Sequence, residues 1–374
     1  MTVTELLQNL VRRPSINPMG RTDIPSDLAH ESRVTAYLEG QLKSLGVECH
    51  RQPVAAGRDN LIAFYRTDSP ITYLWEAHQD TVPVDGMTVE PFAAVLRDGK
   101  LFGRGACDVK AGIACMLAAF ARLVREKPVG SANVILAFTV DEEHTFLGVQ
   151  ELMKANLTAD FAVVAEPTLL NVVTTHKGVV RWQLETGGRA CHSSRPDEGV
   201  SAVYRMAKVV AAVEEYAEKL RTSRSHPRLG SPTLSVGMIA GGVSPNTVPD
   251  QCVIQLDRRL LPGEDAQAAI DDLSAFLAAR DFGFSIATKR HFACPALSPT
   301  ADDHPHLQRF AKAIGPHEKL AVPYGTDASS ISPTIPAVVF GPGDIAQAHT
   351  KDEWVELAQV ERAADILFRF AAFP

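Results

Sequence analysis

The chain has 374 residues, 45% hydrophobic and 22% charged, enough for two domains or for one large α/β domain with an insertion. A formal net charge of −7 and the lack of any Lys/Arg run argue against a nucleic-acid-binding surface. The longest apolar stretch, AGIACMLAAFARLV (111–124), is too short to cross a bilayer and carries Arg122, so it reads as a buried core helix and no membrane partner is expected.

In chain order, MTVTELLQNLVRR places Leu6, Leu7, Leu10 and Val11 at helical spacing but has no unbroken apolar core of the signal-peptide kind. The six cysteines are scattered, with no CxxC pair, which fits a reducing cytoplasm. A second helix is expected over 28–45, closed by a glycine cap. Short runs rich in Val, Ile and Phe follow: DNLIAFYR, ITYLWEAH, NVILAFTV and FAVVAE, separated by loops and by a helix over 110–125. That alternation predicts an α/β fold, a mostly parallel sheet flanked by helices.

From about 178 the order becomes strand, helix, strand, strand, helix, strand, through VVRWQLETG, VSAVYRMAKVVAAVEEYAEKL, TLSVGMIAG, QCVIQLDRRL, EDAQAAIDDLSAFLAAR and FSIATKRHF. This is the ferredoxin-like β-α-β-β-α-β arrangement, expected as an inserted α+β domain over 178–290. Alternation resumes with a helix near 304–314, a strand at PAVVFGPG and a closing helix near 356–371. The outer domain is therefore expected to comprise 1–177 and 291–374.

Acids and histidines recur where the outer domain's apolar runs end. ITYLWEA leads to His78-Gln79-Asp80, and strand period puts His78 and Asp80 on one face, where a carboxylate can orient a ligating imidazole. GRGACDVKAG holds Asp108 in a glycine-rich turn before the buried helix, where a helix N-cap is the favoured reading of that residue taken alone. AFTVDEEHTF crowds Asp141, Glu142 and Glu143 after a strand; a solvated turn is the simple reading of such a triplet in isolation. FAVVAEPT ends in Glu166, and VVFGPGDIAQAHTKDEW delivers His349. His78, Asp108, Glu143, Glu166 and His349 supply two imidazoles and three carboxylates, a donor set suited to zinc, manganese or cobalt and sufficient for two ions if one carboxylate bridges. Such positions, at strand ends of an α/β sheet, are where these folds bind ligands.

The motifs HQDTVPV, GRGACDVKAG, DEE, AEPT and QAH, in that order around an inserted domain, resemble the M20 family of co-catalytic metallopeptidases over essentially the whole chain. The resemblance implies a zinc-peptidase type of outer domain and two divalent metal ions, with Asp108 bridging, His78 and Glu166 completing one site, and Glu143 and His349 the other. It implies Asp80 as the group orienting His78 and Glu142 as the general base; Asp141 receives no role. GGRACHSSRP resembles the family segment whose histidine, here His192, stabilises the tetrahedral oxyanion and in dimeric members reaches the other subunit's site. Arg189 and Cys191 stand where the family has glycines. Asn246 and Arg258 match positions of the inserted domain that bind the substrate's carboxylate or carbonyl, with Arg259 competing for the second place. The insertion is thus expected to serve as a lid and as the contact of a homodimer.

The implied activity is hydrolysis of the amide bond of a small N-acyl amino acid. AEPTLLNVVTTHKG, PYGTDASSI and VVFGPGDIAQAHTKDEW are similar to the subgroup that deacetylates N-acetyl-L-ornithine, and Gly325, Thr326 and Asp327 then fall at the substrate, with Asp327 where that subgroup often carries glutamate. Desuccinylation of N-succinyl-diaminopimelate, another aminoacylase or dipeptidase activity, and a non-catalytic metal-binding role stay open. Retention of Glu142 counts against the last, since a mere binder needs no base.

Overall fold

The computed structural model describes residues 1–374, apart from the side chains of Arg290 and His291. The chain begins with helices α1 (Val3–Val11) and α2 (Ser32–Ser44), then strands β1 (Cys49–Ala55), β2 (Arg58–Tyr65), β3 (Thr72–His78), β4 (Val95–Arg97) and β5 (Lys100–Phe102). Helix α3 (Lys110–Glu126), β6 (Asn133–Thr139), α4 (Leu147–Lys154), β7 (Phe161–Val164) and β8 (Val172–His176) follow. Next come β9 (Gly178–Gly187), β10 (Cys191–His192), α5 (Ala202–Ser223), β11 (Thr233–Gly241), β12 (Thr247–Val248), β13 (Gln251–Leu260), α6 (Ala266–Ala278) and β14 (Ile286–Cys294). The chain closes with α7 (Pro305–Ile314), β15 (Lys319–Val322), α8 (Ala328–Ile331), β16 (Ala337–Val339), β17 (Trp354–Glu356) and α9 (Leu357–Ala372).

Two compact units result. The first is Met1–Thr174 with Pro299–Leu320 and Thr326–Pro374; the second is Thr175–Ser298 with Ala321–Gly325. The second is wider than the 178–290 expected from patterning, and it takes in the separate segment Ala321–Gly325.

In the first unit, Thr2 and Glu5 cap α1 reciprocally, and its buried stripe is Leu6, Leu7, Leu10 and Val11. Helix α3 is apolar around most of its circumference because it is covered on nearly every side: α1 and α9 pack on it, as does the sheet beneath. Gly112 permits that approach, since a Cβ there would lie 2.6 Å from the Cβ of Ala165. The main sheet runs β1-β2-β6-β3-β7-β16-β8-β15. Its central strands β6, β3, β7 and β16 are parallel, whereas β1, β2 and β8 join antiparallel. Four neighbouring parallel strands therefore end on one edge, and their next residues are Glu142 and Glu143 beyond β6, His78 at the end of β3, Glu166 beyond β7 and the loop to His349 beyond β16.

The second unit pairs its four long strands antiparallel in the order β11-β13-β9-β14. Numbered along the chain that is 2-3-1-4, the ferredoxin-like order. Helices α5 and α6 cover one face, around Trp182, Ile254, Leu256, Val209 and Leu273. Thr175 and His176 of β8 enter this unit. His176 is fully buried, its Nδ1 2.9 Å from the carbonyl of Lys177, and burial pulls its pKa down to about 4. The unfolded chain takes up that proton near pH 6.5, so stability present above pH 6.5 is lost as the pH falls towards 4, by about 3 kcal/mol over the interval. Denaturant titrations of the parent and His176→Asn at pH 7 and pH 4.5 check this: the variant should lose less stability on acidification.

Candidate metal centre

Strand β3, buried along almost its whole length, delivers His78 to the sheet edge at 2% exposure. Its Nε2 faces Asp108 Oδ1 at 3.2 Å and Glu166 Oε1 at 3.8 Å, without a well-directed hydrogen bond to either. The other oxygen of Asp108, Oδ2, is 3.2 Å from His349 Nε2, which in turn is 3.0 Å from Glu143 Oε2. One carboxylate thus stands between two imidazoles. The ligand atoms of His78, Glu142 and Glu166 lie within 4.8 Å of one another, and so do those of Asp108, Glu143 and His349. Asp108 does not act as the N-cap of α3: the cap residue is Val109, and it makes no side-chain cap bond.

The cluster gathers four carboxylates with little exposed surface around two imidazoles. Burial, reinforced by neighbouring carboxylates, pushes Glu142 and Glu166 well above the usual carboxylate range and Glu143 up to about 7. Burial opposes ionisation of Asp108 too, but the imidazoles of His349 and His78, each 3.2 Å from one of its oxygens, hold it well below its ordinary value. His349 rises to about 10 through its bonds to Asp108 and Glu143. His78 is raised as well: burial works against it, and Asp108 and Asp80 outweigh burial. Two imidazole nitrogens directed at four buried carboxylates, with His78 Nε2 lacking a hydrogen-bond partner, are a donor set that fits a pair of divalent cations.

Asp80 orients this site differently from the simple histidine–aspartate pairing. His78 Nδ1 is 3.1 Å from the main-chain oxygen of Asp80 and 3.6 Å from its carboxylate. The carboxylate instead accepts from the N–H groups of Glu142 and Glu143 at 3.2 and 3.1 Å and from Asn17 Nδ2 at 2.8 Å. It therefore fixes the turn that carries Glu142 and Glu143. Asp141, which patterning left without a role, turns the chain at φ +68° and bonds Arg58 Nη1 at 2.7 Å and Asn17 Nδ2 at 2.9 Å; Arg58 also clamps Glu31. Neither Asn17 nor Arg58 carries a sequence signal, since their partners are tens of residues away.

In the second unit, β10 and β12 form a short ribbon with His192 opposite Thr247, and Ser193 N–H donates to Asn246 O at 3.0 Å. His192 and Asn246 thus stand together on one exposed ribbon, the imidazole bonded to Ser194 Oγ at 2.8 Å. Gly325 is half-buried; Thr326 is buried, and Asp327, 2% exposed, accepts from Thr139 Oγ1 at 3.1 Å beside Glu76. Burial, followed by Glu76, drives the Asp327 carboxyl well above its ordinary range.

Arg258 is a correction. It lies on the helix-covered face of β13 with Leu256 and Ile254, fully buried, donating to Tyr216 Oη at 3.1 Å, to Ala269 O at 2.9 Å and to Glu264 Oε1 at 3.0 Å. Alternation along QCVIQLDRR dictates that placement, and no surface remains for a substrate. Arg259, on the opposite face, pairs with Asp257. Arg258→Ala should lower the stability of this unit by about 3 kcal/mol, because it strips a partner from the buried Glu264. Thermal melts and KM check it: a raised KM with an unchanged melting temperature would restore a substrate role.

Fold and site together define a hydrolase acting on amide bonds. Solved structures share the architecture: an M20 family metallo-carboxypeptidase from Sulfolobus solfataricus superposes with TM-score 0.79 at 19% identity, over 99% of this chain and 98% of that one. A Staphylococcus aureus tripeptidase gives 0.77 at 22% identity, over 99% and 97%. The chain belongs to peptidase family M20/M25/M40, whose family model matches residues 74–372. Its sequence is similar to proteins named acetylornithine deacetylase, 32% identical to that of Photorhabdus laumondii over 95% of this chain and 92% of the relative, and 32% identical to that of Proteus mirabilis over 98% and 95%. A Bacillus subtilis member with TM-score 0.70, at 15% identity over 99% and 96% of the two chains, is described as a dinuclear metal-binding peptidase.

Proposed function

We propose that the chain hydrolyses the amide bond of an N-acyl amino acid with two divalent metal ions, and that its substrate is N-acetyl-L-ornithine, released as ornithine and acetate. The observation that carries the reading is the Asp108 carboxylate placed between His78 and His349, with Glu142 inside one group of candidate ligands and Glu143 inside the other. His78, Asp108 and Glu166 would hold one ion, and Asp108, Glu143 and His349 the other. Bound there, the ions supply Lewis acidity, which lowers the pKa of water towards about 7 and polarises the amide carbonyl.

Glu142 takes the proton of the attacking water on its carboxylate and returns it to the leaving nitrogen. Asp80 holds the main chain of Glu142 and Glu143, so base and ligand keep a fixed separation. His192 and Asn246 serve the developing oxyanion and the substrate's polar end, and buried Asp327 is the acid available to the substrate's amine. Zinc suits the mixed imidazole–carboxylate set, with cobalt or manganese as functional substitutes. Among the described residues, no helix is long and apolar enough to cross a membrane, and a cytoplasmic site of action accords with scattered, unpatterned cysteines.

The inserted unit is also the proposed homodimer contact. Its edge strand β11 exposes Met238 and Ile239 at about 60%, and the nearby Tyr204 and Val243 are more exposed still. Sedimentation should give a dimer, and Ile239→Lys should shift it towards monomer.

The decisive test is a panel of N-acetyl-L-ornithine, N-succinyl-diaminopimelate, other N-acyl amino acids and dipeptides, assayed for amine release with zinc, cobalt or manganese. Preference for N-acetyl-L-ornithine, lost to a chelator and restored by metal, is expected. Turnover of the succinylated substrate instead would move the assignment to that neighbouring activity, and no release from any substrate would leave a metal-binding protein without catalysis.

A further inference from the structure

The loop that carries Asp108 is held by a residue from far along the chain. Strands β5 and β17 pair antiparallel with Phe102 opposite Trp354, and the ladder runs one residue further, Gly103 N–H donating to Glu353 O at 3.0 Å. The Glu353 side chain, 1% exposed, turns under the 103–108 loop. Its Oε2 accepts from Arg104 Nη1 at 2.8 Å and Gly105 N–H at 2.9 Å; its Oε1 accepts from Cys107 N–H at 2.8 Å and Asp108 N–H at 3.0 Å. Three main-chain N–H groups converging on one carboxylate form an anion nest whose occupant is a side chain. The curl that makes the nest depends on Gly105, at φ +80°, where a Cβ would lie 2.7 Å from Thr81 Cγ2 and 2.9 Å from Lys110 Cδ.

We infer that Glu353 is a positioning residue of the metal centre: through the loop's main chain it sets where the Asp108 carboxylate stands between the two imidazoles. The inference rests on the reading of Asp108 as the shared ligand. The same residue lies on the segment that delivers His349, so one buried carboxylate registers two ligands that are otherwise remote in sequence. Charge and shape both matter here. A glutamine in this place keeps the volume but turns an NH2 group towards main-chain N–H donors, so the loop must shift to relieve the opposition. Aspartate keeps the charge and falls one methylene short.

The test is metal binding by full-length protein stripped of metal and reloaded, measured by competition with a chromophoric chelator and by the visible absorption of the cobalt form. Glu353→Gln should bind divalent metal about 10- to 100-fold more weakly than the parent, with a shifted cobalt spectrum, the range typical of groups that orient ligands. Should that variant fail to fold, Glu353→Asp decides the matter, with an expected loss of about tenfold or more. A folded Glu353→Gln or Glu353→Asp with the parent's affinity and spectrum overturns the inference, whatever its melting temperature, because a purely structural anchor would change the melt alone. A parent that binds no divalent metal overturns both this inference and the reading of Asp108 beneath it.

Discussion

Glu142→Gln is expected to lower turnover by at least about 100-fold while leaving both metal ions bound, the low end of what a positioned proton carrier contributes. Glu142 is 8% exposed, and its carboxylate lies within 4.8 Å of the ligand atoms of His78 and Glu166. It is therefore close enough to serve what reacts at the centre, while the neighbouring Glu143 is committed to His349. Glutamine preserves size and removes the charge together with the capacity to take and return a proton. KM should change little, and the acidic limb of the kcat–pH profile should flatten, because the group whose ionisation produces it is gone. Metal content of the purified variant, measured beside kcat, separates this outcome from loss of the ions. Near-parental turnover with two ions bound would remove the base assignment.

The site residues that are legible in the sequence share one physical reason. Each of His78, Glu143 and Glu166 follows a run of apolar residues that can only be a buried strand, and parallel neighbours end on the same edge. A polar residue immediately after such a run is therefore already placed. The ferredoxin-like insertion is legible because its helices and strands are long enough to show a period. Strand β1, by contrast, is an edge strand whose CHRQPVA carries exposed His50, Arg51, Pro53 and Ala55, so no apolar alternation marks it. Strands β4, β5 and β17 have three residues each, too few for any period, yet they build the ladder that seats Glu353. Arg258 shows the reverse error: alternation puts it on the core face with Ile254 and Leu256, and motif similarity pulls it to the substrate. The periodicity is the better guide, since a guanidinium can be buried when Tyr216, Glu264 and a carbonyl receive its N–H groups. Asn17, Arg58 and Glu353 act across 27 to 249 residues, distances over which one sequence records no partnership.

Asp108→Ala should remove both ions at once, where His349→Ala removes only one. The asymmetry follows from geometry: each oxygen of Asp108 faces a different imidazole, at 3.2 Å on both sides, whereas His349 Nε2 meets Asp108 and Glu143 within a single ligand group. Elemental analysis should find about two equivalents in the parent, about one in His349→Ala and close to none in Asp108→Ala. Activity of Asp108→Ala should fall by at least about 1,000-fold, since several kcal/mol of charge stabilisation leave with the ions and each 1.36 kcal/mol is a factor of ten. Thermal unfolding supplies a readout independent of turnover. Adding metal at about 100 times its dissociation constant should stabilise the parent by about 2.7 kcal/mol per site, and should leave the melt of Asp108→Ala unmoved. A variant lacking Asp108 that still carried two ions would show that the carboxylate merely neighbours the centre, and the pairing of His78 with Glu166 and of Glu143 with His349 would then have to operate as two separate sites.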